Sequence, residues 1–212
     1  MIQVTNLSKH FGAQTLFENI SFTLSRGNKI GFVGRNGSGK STLFKILLGE
    51  EEADSGDIFI PKNYRLGALK QHISFTHTTV RAECASVLRE DEAFDTYKIE
   101  KMLFGLGFTH EDLDKNPLSF SGGYQIRINL VKLLATNPSM LLLDEPTTGL
   151  DVGLEKSLIQ HMKQVLDNKT LIVITHRFAA LELVDRVIVL NQGKVVADGP
   201  KNAVLAALQE KK

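Results

Sequence analysis

Residues 29–48, KIGFVGRNGSGKSTLFKILL, constrain the fold more than any other stretch of the chain. An apolar strand runs into a glycine-rich turn, and the turn runs into a helix with apolar periodicity. Residues 34–41 satisfy G-x-x-x-x-G-K-[ST] at every fixed position, flanked by the strand and helix that the pattern requires. Glycines let backbone N–H groups turn inward around phosphate oxygens. A helix starting near Lys40 points its positive end at them, and Lys40 adds a full charge. Ser41 would place its hydroxyl on Mg²⁺. The cradle candidates are therefore Gly34, Arg35, Asn36, Gly37, Ser38, Gly39, Lys40, Ser41 and Thr42. A plain strand-to-helix turn is the bland alternative, and the spacing argues against it. Many enzyme classes share such a cradle, so it points to a nucleotide and leaves the reaction open.

A second apolar run, MLLLDEP, ends in Asp144 and Glu145. A buried strand that emits two carboxylates at its C-terminal end does so where open α/β sheets place their ligands. Asp144 would hold Mg²⁺ and Glu145 would polarise the attacking water. An acidic turn capping the next helix is the alternative, weakened by the presence of the cradle. Gln71 ends YRLGALKQ and His176 ends TLIVITH, so both follow strand-like runs and could reach the same pocket. Taken singly, either is more simply a structural or solvated residue.

The stretch LSFSGGYQIRINL places Ser121, Gly122 and Gly123 where a helix begins. Their N–H groups and the serine hydroxyl form a second anion-binding end, some eighty residues from the first. With this motif in place the chain resembles the nucleotide-binding domain of the ATP-binding cassette (ABC) superfamily. The order GRNGSGKS, Gln71, FSGGY, LLLDEP, TGLD, His176 looks like the Walker A motif, Q-loop, signature, Walker B with its glutamate, D-loop and H-loop, and covers nearly the whole chain. The resemblance implies a P-loop NTPase of α/β class, with an antiparallel β subdomain and a helical subdomain. It also implies ATP and Mg²⁺ as cofactors, with Ser41, Gln71 and Asp144 toward the metal and Glu145, Gln71 and His176 toward catalysis. Two such domains pack head to tail, and the signature of one caps the ATP held by the cradle of the other. By the same analogy Phe11 would stack on adenine, Asp151 would communicate across the dimer, and His176 would hydrogen-bond the γ-phosphate. An ordinary core phenylalanine is the other reading of Phe11, because Phe17 lies close by.

Within the superfamily two branches are visible. FSGGYQIRINL, GFVGRNGSGKSTLFKILLGE and the brief helical region look like the ABC-F branch, whose members act on ribosomes. That branch typically reads Pro-Thr-Asn-His-Leu-Asp after Walker B, whereas this chain reads PTTGLD, with Thr148 and Gly149 at the two diagnostic positions. The tail THRFAALELVDRVIVLNQGKVVADGP resembles exporter domains, especially those of type I secretion systems. The chain thus looks like a mosaic with a seam over residues 146–156, either a chimera of two cassette proteins or a divergent natural member.

Composition sets the outer bounds. With 212 residues, 42% hydrophobic and 23% charged, the chain is expected to fold as one domain. Residues 1–71 and 139–212 read as the nucleotide core with its β subdomain, and residues 72–138 as the helical subdomain with the signature. Residues 1–27 and 55–70 look like short alternating strands beside the core, and a terminal helix is expected to open at Pro200. The longest apolar runs, 140–143 and 171–174, are strand-sized, so direct membrane insertion is not expected. MIQVTNLSKHFG lacks the features of a signal peptide, which predicts a cytoplasmic chain, peripheral to the inner membrane if it serves a transporter. Cys84, the single cysteine, is read as a small half-buried helix residue. Net charge is +1, and residues 72–117 hold five Lys and Arg against nine Asp and Glu, which argues against an RNA-gripping face there.

Three functional readings follow: an ATPase cassette that hydrolyses ATP as a homodimer or with a second ABC domain, a ribosome-associated factor, and a transporter subunit. For the last, residues 98–108, KIEKMLFGLGF, are expected either to expose an apolar groove for a membrane partner or to pack against the signature helix. A scaffold without activity would need a broken motif, and each motif is intact.

Overall fold

The computed structural model describes residues 1–12, 14–35, 37–69, 74–88 and 96–209. Strands β1 (Ile2–Phe11) and β2 (Gln14–Leu24) form an antiparallel pair, and β3 (Lys29–Gly34) leads through the glycine loop into α1 (Lys40–Leu47). Strands β4 (Ser55–Phe59) and β5 (Leu66–Leu69) follow, then helices α2 (Val80–Ala85), α3 (Thr96–Gly105) and α4 (Gly122–Ala135). The remainder alternates as β6 (Met140–Asp144), α5 (Val152–Val165), β7 (Thr170–Ile174), β8 (Arg186–Asn191), β9 (Lys194–Pro200) and α6 (Lys201–Gln209).

The strands form two sheets. A three-stranded antiparallel sheet has the order β2-β1-β4, and a six-stranded sheet has the order β5-β6-β7-β3-β8-β9. In the larger sheet β5, β6, β7, β3 and β8 run parallel, and only β9 pairs antiparallel. Parallel strands covered on both faces read as unbroken apolar runs, and β6 and β7 are buried almost throughout. Successive side chains alternate faces. Leu141, Leu143, Leu171 and Val173 join the core beneath the helices α2 to α5, whereas Met140, Leu142, Ile172 and Ile174 join the core shared by α1 and the small sheet. The parallel sheet is therefore the common wall of two cores, and its C-terminal edge is where loops from both sides meet.

Three local expectations need correction. Strands β1 and β2 are ten and eleven residues long rather than short, since their inward faces, including Ile2, Val4, Phe17 and Phe22, cover α1 and β3 continuously. Strand β5 does not belong with the small sheet; it pairs in parallel with β6 at the edge of the large one. Cys84 is fully buried, and that burial pushes its thiol up to about 12, making it an inert core residue. Within residues 98–108, Ile99, Leu103, Leu106 and Phe108 are buried in the core shared with α4, so the packing alternative holds for them. Lys98, Ile99 and Met102 still border a groove of about 340 Å³ with Leu134 and Val165.

Candidate active site

The cradle is shaped by two glycines that accept no substitute. Gly39 caps α1 in a left-handed conformation (φ 84°), and a Cβ there would come within 2.8 Å of the Phe17 ring. A Cβ on Gly34 would stand 2.5 Å from the Leu190 carbonyl oxygen of the neighbouring strand. Inside the turn the Lys40 ammonium donates to the carbonyls of Gly34 (2.8 Å) and Arg35 (2.9 Å). Its burial lowers the pKa, while the nearby charges of Glu145 and Asp144 oppose that shift. Lys40 thus folds its charge against the loop, and phosphate oxygens would offer a better acceptor than carbonyls.

Strand β6 delivers Asp144 to the same edge. Burial raises the Asp144 pKa, and the adjacent Glu145 charge raises it further, against the lowering effect of the Ser41 hydrogen bond and of Lys40. Its Oδ1 is buried without a hydrogen-bond partner. A buried, unpartnered carboxylate oxygen beside a serine hydroxyl is the donor set a hard divalent cation takes, so Ser41 and Asp144 fit Mg²⁺.

Glu145 turns out of the strand with φ 48°, unusual for a residue with a side chain. That turn brings it to the end of β7. Its Oε1 accepts from the His176 backbone N–H (3.1 Å) and pairs with His176 Nδ1 at 2.7 Å, and its Oε2 accepts from the Thr175 hydroxyl at 3.2 Å. Sequence reasoning reached both residues separately; the fold joins them directly.

Lys40, Ser41, Glu145 and His176 share one cleft of about 490 Å³, lined also by Leu16, Gly37, Gly39, Thr42 and Thr148, with Asp144 beside Ser41 and Lys40. Arg35 is exposed, and its carbonyl accepts from Lys40 and from the Ser38 N–H. Gln71 and Asn36 lie outside the described residues. Phe11 does not line the cleft; it is half-exposed at the end of β1 with the Lys9 ammonium 5.2 Å from its ring centre. Phe17, by contrast, is the core phenylalanine. Leu16 lines the cleft in its place, a residue whose apolar character alone carried no signal.

Ser121, Gly122 and Gly123 also stand apart from the cleft, at the start of α4. Ser121 is exposed and makes no side-chain capping bond to its own helix. Asp151 is the N-cap of α5: its Oδ1 accepts from the N–H groups of Gly153 (2.9 Å) and Leu154 (3.0 Å). Asp151 is absent from the lining of this chain's cleft, and that oxygen is committed to the helix.

A model of the family described as "ABC transporter" matches residues 17–148. The arginine transport ATP-binding protein ArtM of Bacillus subtilis is 34% identical over 94% of this chain and 91% of its own length. The chain belongs to the ABC transporter family. The sulfate/thiosulfate import ATP-binding protein CysA of Synechococcus elongatus is 33% identical over 92% of this chain, which spans 61% of that relative's length. The bacterial ABC transporter cassette MJ0796, solved as a dimer and as a post-hydrolysis dimer bound to ADP and Pi, has the same fold, with a TM-score of 0.77 over 94% of this chain at 21–22% identity. This ABC domain is thus an ATPase domain like those of transporter ATP-binding subunits.

The comparisons also bear on the mosaic. The ArtM similarity covers 94% of the chain. In the structure β6 and β7, on either side of residues 146–156, pair in continuous parallel register from Met140↔Thr170 to Asp144↔Ile174. A join between two parent proteins is not needed to account for the rear motifs.

Proposed function

We propose that this ABC domain is the ATP-hydrolysing subunit of a membrane transporter and works as a head-to-tail pair, with a second copy or with another ABC domain. One observation carries the reading: cradle, Glu145 and His176 converge in one cleft, while Ser121, Gly122 and Gly123 stand outside it. A helix start that is uncapped and exposed serves phosphate best when it belongs to the other member of a pair.

In this reading the glycine loop and Lys40 bind the β- and γ-phosphates. Ser41 and Asp144, with Gln71, would hold Mg²⁺, which would supply charge neutralisation for transfer of the γ-phosphoryl group to water. Glu145 takes a proton from the attacking water, and its bonds to Thr175 and His176 fix the carboxylate for that task. His176 uses Nδ1 for Glu145, which leaves its other ring nitrogen for the γ-phosphate. Leu16 lines the cleft beside the cradle, and the ring of Phe11, outside that lining, is exposed and available to stack on a base.

The transporter assignment rests on relatives named for arginine and sulfate transport. Such a subunit would sit at the membrane through partner subunits, because no helix among the described residues is long and apolar enough to cross a bilayer. A ribosome-associated role draws on the FSGGYQIRINL and GFVGRNGSGKSTLFKILLGE patterns and the brief helical region, and no observation in the fold favours it.

Light scattering on Glu145→Gln with and without Mg·ATP tests the pairing. A shift from monomer to dimer that requires nucleotide is the expected result. ATP binding without any shift would reject the homodimer and leave only pairing with a different ABC domain.

A further inference from the structure

Arg177 follows His176 directly and plays no part in the roles assigned above. Its guanidinium reaches away from the cleft into the loop after Glu145. Nη1 donates to the Thr147 carbonyl (2.6 Å), to Glu155 Oε1 on α5 (3.0 Å) and to the Leu150 carbonyl (3.3 Å), and Nη2 donates to the same Leu150 carbonyl (3.2 Å). Thr147 and Glu155 are buried, so these bonds are made largely out of water and their loss would leave the groups unpaired. On its other side, the Arg177 backbone N–H donates to Thr175 Oγ1 at 2.9 Å, the hydroxyl that in turn donates to Glu145.

The loop so held has two ends with different neighbours. Thr148 lines the nucleotide cleft. Leu150 is buried beneath the start of α4, where a Cβ on Gly122 or Gly123 would stand 3.8 or 3.7 Å from its Cδ2 methyl. A planar fork that bridges two carbonyls and a carboxylate fixes the loop as a rigid piece, which a lysine point charge cannot do.

We propose that Arg177 is a positioning residue that couples the two phosphate-facing ends of one chain: through Thr147 and Leu150 it transmits the state of the Glu145–His176 cleft to Ser121, Gly122 and Gly123. The inference rests on the ATPase reading above and adds to it a route by which a filled cleft sets the helix start offered to the partner domain.

Amide hydrogen exchange on the full chain tests the route, using a non-hydrolysable Mg·ATP analogue at a protein concentration where light scattering shows monomer. In the parent chain the analogue is expected to protect residues 37–45, 147–151 and 122–125. In Arg177→Lys, and in Arg177→Met if it folds, protection of 37–45 persists while that of 147–151 and 122–125 falls at least ~10-fold, as expected for openings released from a lost buried network. Steady-state kinetics would show kcat down ~10-fold or more with KM within about threefold, a split that general loss of structure does not produce. Equal protection of 122–125 in parent and Arg177→Lys would overturn the inference, as would a parent chain that protects 37–45 but not 122–125. A parent chain that gains no protection at 37–45 sinks the ATPase reading and this inference with it.

Discussion

Helices α1 and α4 begin with no side chain bonded over their first turn, whereas α2 and α5 begin beneath Thr79 and Asp151, whose oxygens accept from N–H groups of their own helices. A capping side chain satisfies a donor that an anion would otherwise use. Of these four helices, the two left open are the two that sequence motifs assign to phosphate. They differ in turn from each other. The start of α1 is flanked by Lys40, Asp144, Glu145 and His176, which in the proposed reading hold the phosphate chain and its metal. The start of α4 offers Ser121 and backbone donors above the apolar Leu150, which in the proposed reading suits it to completing a partner's site.

The contrast can be broken at several points. The largest effect is expected at Glu145, whose change to Gln keeps the size and removes the base. Phosphate release should slow by roughly 10²- to 10⁴-fold while Mg·ATP still binds. An unchanged rate would show that the base lies elsewhere.

At α4, Gly122→Asp puts a negative charge where an incoming phosphate would sit. Nucleotide-dependent dimerisation should be lost and hydrolysis should fall roughly 100-fold, while the monomer's affinity for Mg·ATP, read by titration calorimetry, stays within about threefold. A matching fall in monomer affinity would mean that both helix ends serve one chain's cleft.

A third test concerns how α4 is held. Glu83 on the capped helix α2 is fully buried. It accepts from the backbone N–H groups of Thr76 and His77, both at 2.8 Å, and pairs with Lys132 on α4. Burial pushes its carboxyl up, but Lys132 and the two N–H groups outweigh that and bring it to about 2, from an ordinary value of 4.5. A depressed carboxylate pKa gives stability that is fully present above pH 4.5 and lost as pH falls toward 2. Glu83→Gln should therefore cost about 2–3 kcal/mol in urea unfolding at pH 7, with the gap to the parent closing across that acid window. A gap independent of pH would assign the loss to packing instead.

The smallest effect belongs to Asp151→Ala, which removes a helix cap worth about 1 kcal/mol. Asp151→Asn should restore that stability. If it restores stability but not hydrolysis, Asp151 acts across the dimer as well as on its own helix.

Much of this site was legible before any coordinates. Sequence pattern alone singled out Lys40, Ser41, Asp144 and Glu145, because a phosphate cradle needs glycine at fixed places and a metal needs a carboxylate at a strand end. The open start of α4 was legible for the same reason. An aromatic at the end of a strand fits a stacking platform or the core equally well, and only burial separates Phe11 from Phe17. Leu16 and Arg177 left no signal, since an apolar residue in a strand and an arginine after a histidine each fit many surroundings.

What the sequence determined by itself is local: which turns admit backbone around phosphate, which helices begin open, and which strands are buried on both faces. The tertiary structure decided the partnerships. It brought Glu145 onto His176 across thirty-one positions of chain, sent Arg177 into the loop of Thr147 and Leu150, and kept Ser121 out of the cleft that it resembles chemically. The physical reason is that local spacing depends on neighbours along one segment, whereas contact between loops depends on the order and register of parallel strands, which only the packed sheet fixes.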